Sequence, residues 1–161
     1  MKFAVLILVT FCVYAPAQTF EQKVVAAVLM GEAWDQGQVG MLAVAEVIHQ
    51  RCVETGLTPL EVVTKGGFRH RAFSCLNERS AASVVKKFSS QADFERVALP
   101  LAVQVYRWPS NQVSITHHAT HFTRKEEKPW WAKGYRPVVV IGEHAFYRLP
   151  ASIYTVRDKE E

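Results

Sequence analysis

The sequence is short of cysteine, of long apolar runs and of concentrated charge, and each shortage excludes something. Three cysteines in 161 residues are too few for a disulfide-stapled scaffold. The single long apolar run, Phe3 to Tyr14 broken by Thr10, is too short to cross a bilayer, and none of spanning length follows. No stable membrane span is therefore expected in the mature protein. The formal net charge is +4, to which the first seventeen residues contribute Lys2 alone. Such a mild, dispersed excess suits an anionic polymer and lacks the dense positive surface of a nucleic-acid binder, so no nucleic-acid partner is expected. Lys86-Lys87 reads as a solvated face, and Glu126-Glu127 cancels Arg124-Lys125. There is no internal repeat, low-complexity tract or linker.

Residues 1–17 read as a secretory signal peptide: Lys2, the apolar run, then Ala15-Pro16-Ala17 as an A-x-A cleavage site. The mature chain then runs from Gln18 to Glu161, the size of one domain, and is exported to the periplasm or the cell exterior. Cys12 leaves with the leader. Cys52 and Cys75 remain in an oxidising compartment, where they either pair or stay as small buried hydrophobes.

The stretch Thr19 to Asp35 predicts an amphipathic helix. Thr19 and Gln22 form a capping box, and Phe20, Val24 and Val28 make a stripe that ends on Glu32. A carboxyl at the buried end of an apolar stripe is desolvated, which favours its protonated form and suits it to general-acid work. Val39 to Glu54 reads as a second helix, with Glu46 at its middle as a surface, structural or supporting carboxylate. Thr58-Pro59-Leu60-Glu61 starts a short third, and Phe68 to Asn77 a loop wall. Ser80 to Phe88 and Ala92 to Tyr106 predict two more helices, the latter kinked at Pro100. From Trp108 onward short strands are expected at Val113 to Thr123, Val138 to Ile141 and His144 to Arg148, with Gly142-Glu143 as a turn and Pro129 to Tyr135 as an aromatic loop. The expected class is mainly α with a small antiparallel sheet near the C-terminus.

Taken in order, GEA at Gly31 to Ala33, FSC at Phe73 to Cys75, ATHF at Ala119 to Phe122, Trp131-Ala132 and IGEHAFYR at Ile141 to Arg148 resemble the SleB/CwlJ family of cell-wall hydrolases. The pair ATHF and IGxHxFYR is the specific part. The resemblance implies a lysozyme-like catalytic domain that cuts the glycan strands of peptidoglycan at the bond between N-acetylmuramic acid and N-acetylglucosamine, with Glu32 as the catalytic acid and no cofactor. Ser74, Thr120, His121, Trp131 and Tyr147, which lie in these motifs, are the candidate substrate-binding residues, with Thr120 and His121 near the acid; the alternative is that they hold the small sheet against the helices through buried hydrogen bonds. Ala72 departs from the glutamine common at that place in the family, which bears on how the loop from Arg69 to Asn77 meets substrate. No second carboxylate is evident in the sequence, which favours lytic transglycosylation over hydrolysis, because the muramyl C6 hydroxyl is already held beside the reacting carbon.

Two other readings compete. His117, His118, His121 and His144 suggest a zinc-dependent amidase that cuts the stem peptide, although on a strand His118 points away from His117 and His121. A wall-binding module using Trp130-Trp131 and lacking catalysis is the other. The sequence identifies no protein partner.

Overall fold

In the computed structural model, which describes residues 18–67 and 70–150, Thr19 opens the first helix as expected. Its hydroxyl accepts the Gln22 N–H at 3.2 Å, and the Gln22 side chain accepts the Thr19 N–H at 3.0 Å. Helix α1 spans Phe20–Ala33. It is not amphipathic. Every residue from Val24 to Met30 is buried, while Phe20, the start of the expected stripe, is exposed. A helix apolar all round belongs inside, and α1 is the axle on which α2 (Gly37–Thr55), α3 (Pro59–Thr64), α4 (Ala81–Phe88) and α5 (Leu99–Val105) all pack.

Local signals set the other helix ends. Gly56 takes φ +72° at the close of α2 and donates its N–H to the Cys52 carbonyl. Thr58 and Glu61 cap α3 reciprocally, with Pro59 in its first turn. Ser80 caps α4 by accepting the Ser83 N–H. Ahead of Pro100 the chain widens into a π-turn, Phe94–Ala98, in which the Leu99 N–H donates to the carbonyl of Phe94, five residues back. The wider turn is the irregularity expected where proline lacks a donor and crowds the preceding turn.

Strands β1 (Gly66–Gly67) and β2 (His70–Arg71) form a short antiparallel pair where the predicted loop wall begins. A three-stranded antiparallel sheet of β3 (His121–Arg124), β4 (Val139–Ile141) and β5 (His144–Tyr147), in the order β3-β5-β4, closes the C-terminal side. His121 pairs with Tyr147, Phe122 with Phe146, Thr123 with Ala145 and Arg124 with His144. Because strand side chains alternate, Phe122, Arg124, His144 and Phe146 share one face, and His121, Thr123, Ala145 and Tyr147 the other. The first face packs on α2 through Ala43 and Val47 and on the loop residue Phe73. The β4–β5 turn has Gly142 at φ +58° and is tied to the α1–α2 junction, where Gln36 Oε1 accepts the Glu143 N–H at 2.8 Å.

The expected strand from Val113 is much shorter than predicted. Only His121–Arg124 is strand, and the segment before it is pinned to α2. Buried Glu46 accepts the Ser114 hydroxyl at 2.7 Å, the Ile115 N–H at 3.1 Å, and the Thr116 N–H and hydroxyl at 3.0 and 2.9 Å. His49 bonds the Pro109 carbonyl, Gln50 bonds His118, and Arg51 donates to the Thr120 carbonyl at 2.6 Å. Backbone donors spent on a carboxylate are lost to a ladder. His117 and His118, at φ +53° and +59°, turn the chain away from an extended path. The expected leader, residues 1–17, and the charged tail after Pro150 lie outside the described residues.

Candidate active site

Glu32 sits in the last turn of α1, half-buried, where a negative side chain meets the negative end of the helix dipole. Two donors from the Phe73–Leu76 loop hold it. The Cys75 N–H donates to Oε1 at 3.0 Å, and the Ser74 hydroxyl donates to the same oxygen at 3.3 Å. The Cys75 thiol also bonds the carboxylate, and no N–H or O–H among the described residues donates to Oε2. The loop reaches the acid because Gly31 has no side chain: a Cβ there would lie 2.6 Å from the Cys75 Cβ and 2.9 Å from its sulfur. Gly31-Glu32 and Ser74-Cys75 thus form one packing unit.

Around this carboxylate the helix geometry breaks at Ala33 (φ −147°, ψ 17°), and a 3-10 turn, Trp34–Gln36, carries the chain into α2. Asp35 is exposed and lies 3.8 Å from the Arg124 guanidinium on β3. His144 is buried edge-on against Phe122, its Nδ1 without a partner among the described residues. Burial pushes its imidazole below the usual histidine range, with Arg124 adding to the effect and the charges of Asp35, Glu32 and Glu127 opposing it. His144 belongs to the site by its sheet face. Alternation along β5 was the only sequence signal for this, and it does not say which face meets the acid.

Of the residues nominated with Glu32, the structure brings Ser74 to it and gathers the other four elsewhere. His121 and Tyr147 are cross-strand partners on the face turned from Glu32, with the Trp131 ring 5.0 Å from His121 and 5.4 Å from Tyr147. Burial, helped by the Arg51 charge, lowers the His121 imidazole to about 3. Thr120 is fully buried, its hydroxyl accepting the Leu149 N–H at 2.9 Å and its N–H donating to the Tyr147 carbonyl at 2.8 Å. Strand register puts the His121 side chain on the sheet face opposite Phe122 and Phe146, and the Thr120 hydroxyl is engaged by the Leu149 backbone.

The possible disulfide does not form, and Cys52 and Cys75 are both free thiols. Cys52 packs into the helical core, where burial raises its thiol to about 12, while Cys75 is committed to Gly31 and Glu32, and burial followed by the Glu32 charge pushes its thiol up. Nor do the histidines converge. His117 is exposed, His118 is bonded to Gln50, and His121 and His144 take opposite faces of the sheet. Among the described residues no three His, Cys, Asp or Glu side chains gather as metal ligands would.

Compared with known proteins, residues 35–147 match the model of the family described as Cell Wall Hydrolase. The match begins three residues beyond Glu32. Among solved structures, the chain resembles the catalytic domain of the germination-specific lytic transglycosylase SleB from Bacillus anthracis, with a TM-score of 0.58 at 18% identity, over 83% of this chain and 98% of that one. This likeness is one of fold. No curated protein matches the chain.

Proposed function

The chain belongs to the cell wall hydrolase family, and from that premise we propose that it is exported and cuts the glycan strands of peptidoglycan as a lytic transglycosylase, with Glu32 as the acid. The observation that carries this reading is the division of labour on one carboxylate. Oε1 is held by the Ser74 hydroxyl and the Cys75 N–H, and no N–H or O–H among the described residues donates to Oε2. A fixed carboxyl with one oxygen turned to substrate is the geometry proton donation needs.

In this mechanism Glu32 gives its proton to the oxygen between the muramyl and glucosaminyl residues as that bond breaks. Positive charge develops at the muramyl C1. The muramyl C6 hydroxyl then bonds to C1 and returns its proton to Glu32, leaving a 1,6-anhydro end and a regenerated acid. The route uses one carboxylate. That agrees with the fate of Glu46, which is committed to the Ser114–Thr116 segment. The solved structure that resembles this chain is named as a lytic transglycosylase, which supports the same choice.

The test is clearance of a purified peptidoglycan suspension by the chain starting at Gln18, with Glu32→Gln and Glu32→Asp beside it. Loss of at least a hundredfold in Glu32→Gln, in line with the usual weight of a general acid, supports the reading. A variant as active as the parent overturns it.

A further inference from the structure

Trp34 is 59% exposed although it lies two residues from Glu32, and it has no ring partner among the described residues. Its backbone is nonetheless fixed. Ala33 before it is fully buried, Asp35 after it faces Arg124, and Gln36 is bonded to the β4–β5 turn. An indole left bare on an anchored turn is a preformed apolar plane, and the C–H face of a pyranose ring is the natural complement of such a plane.

One residue further, the Asp35–Arg124 contact spans 3.8 Å between half-exposed side chains, 43% and 59% accessible. Such a pair is weak and readily exchanged. Asp35 lies three residues from Glu32 in the turn that ends α1, so its contact places the Arg124 guanidinium at the acid's end of that helix. A planar fork of donors that now faces Asp35 is equally suited to a carboxylate arriving on a ligand.

Building on the glycan-cleaving reading above, we propose that Trp34 and Arg124 form a subsite beside Glu32 for a hexosamine ring that bears a carboxylate. The indole takes the ring face, and the guanidinium exchanges Asp35 for the acid group. On a muramyl residue that acid is either the lactyl carboxylate, where the stem peptide has been removed, or a carboxylate of the stem. Asp35 is a built-in competitor, and the subsite separates a muramyl from a plain N-acetylglucosaminyl residue.

The experiment is binding by the Glu32→Gln protein, which does not consume its ligand, to three oligosaccharides: a chitooligosaccharide without carboxylates, a stem-free peptidoglycan fragment, and a stem-bearing one. Trp34→Ala should weaken binding of all three about tenfold, and Trp34→Phe should retain most of it. Arg124→Gln should weaken only ligands with a carboxylate, and which of the two weakens identifies the source. Asp35→Asn should bind those same ligands several-fold more tightly. Trp130→Ala, equally exposed at 58% but in the loop beside the far sheet face, should change nothing. Because the substituted side chains are exposed, unchanged circular dichroism and melting are expected. The subsite is overturned if Arg124→Gln acts equally on all three ligands or on none, if Asp35→Asn weakens binding, or if Trp34→Ala matches Trp130→Ala. Failure of the glycan reading looks different: the parent then releases no glycan fragments and the Glu32→Gln protein binds none of the three.

Discussion

Gly31 and Cys75 touch so closely that a single added carbon on the glycine would lie 2.6 Å from the Cys75 Cβ. Glycine next to the acid and the small Ser74-Cys75 pair of a distant loop are therefore two halves of one contact, and the contact delivers both donors to Glu32.

Gly31→Ala should displace that loop, with overpacking costing about 1–3 kcal/mol. Activity should fall further than the stability loss explains, because the Glu32 carboxylate loses both bonds at once. Urea unfolding and turnover of the same preparations check this, and Cys75→Gly introduced on Gly31→Ala should recover part of the stability.

Ser74→Ala removes one of the two donors to Oε1 and leaves the Cys75 N–H. A net hydrogen bond worth about 1 kcal/mol predicts a roughly fivefold slower turnover with stability almost unchanged. Steady-state rates on soluble glycan fragments, set beside melting curves, separate the two effects.

Glu46→Gln tests whether the buried carboxylate of α2 is a second catalytic acid. It faces the N–H groups of Ile115 and Thr116, and an amide there presents a donor to donors. A loss of about 3 kcal/mol is expected. The folded fraction at low temperature should keep its turnover number, whereas a second catalytic carboxylate would lose it.

His121 makes stability depend on pH. Its folded-state value of about 3 lies below the ordinary 6.5, so the unfolded chain binds a proton that the folded one refuses. The stabilisation is fully present above about pH 6.5 and is lost as pH falls towards 3, at up to ~1.4 kcal/mol per pH unit. His144, lowered in the same direction by burial, adds to the trend. Urea midpoints measured from pH 7 to pH 4 should show His121→Gln with the shallower slope.

What the sequence made legible is what neighbouring residues decide. The capping boxes at Thr19 and Thr58, the stop at Gly56, the disturbance ahead of Pro100 and the Gly142-Glu143 turn all depend on a few consecutive residues. The stripe places position 32 at the end of a buried helix, although α1 is apolar on every side and Phe20 at the head of the stripe is exposed. Residues 113–120 were misread as strand because their β-branched and histidine content gives no sign that Glu46, about seventy positions earlier, consumes their donors. His121 and His144 look alike in the sequence, and only the β3–β5 register sends one away from Glu32 and the other towards it. Trp34 escaped notice for a related reason: a bare indole has meaning only once its turn is seen to be anchored.

The most direct test of the account is mass spectrometry of the fragments released from purified peptidoglycan by the chain starting at Gln18, with Glu32→Gln run in parallel. The account predicts fragments ending in 1,6-anhydro-muramic acid, absent from the variant. Reducing muramyl ends would contradict transglycosylation and require a second carboxylate or a bound water, and free stem peptides with intact glycan would contradict the role given to Glu32 altogether.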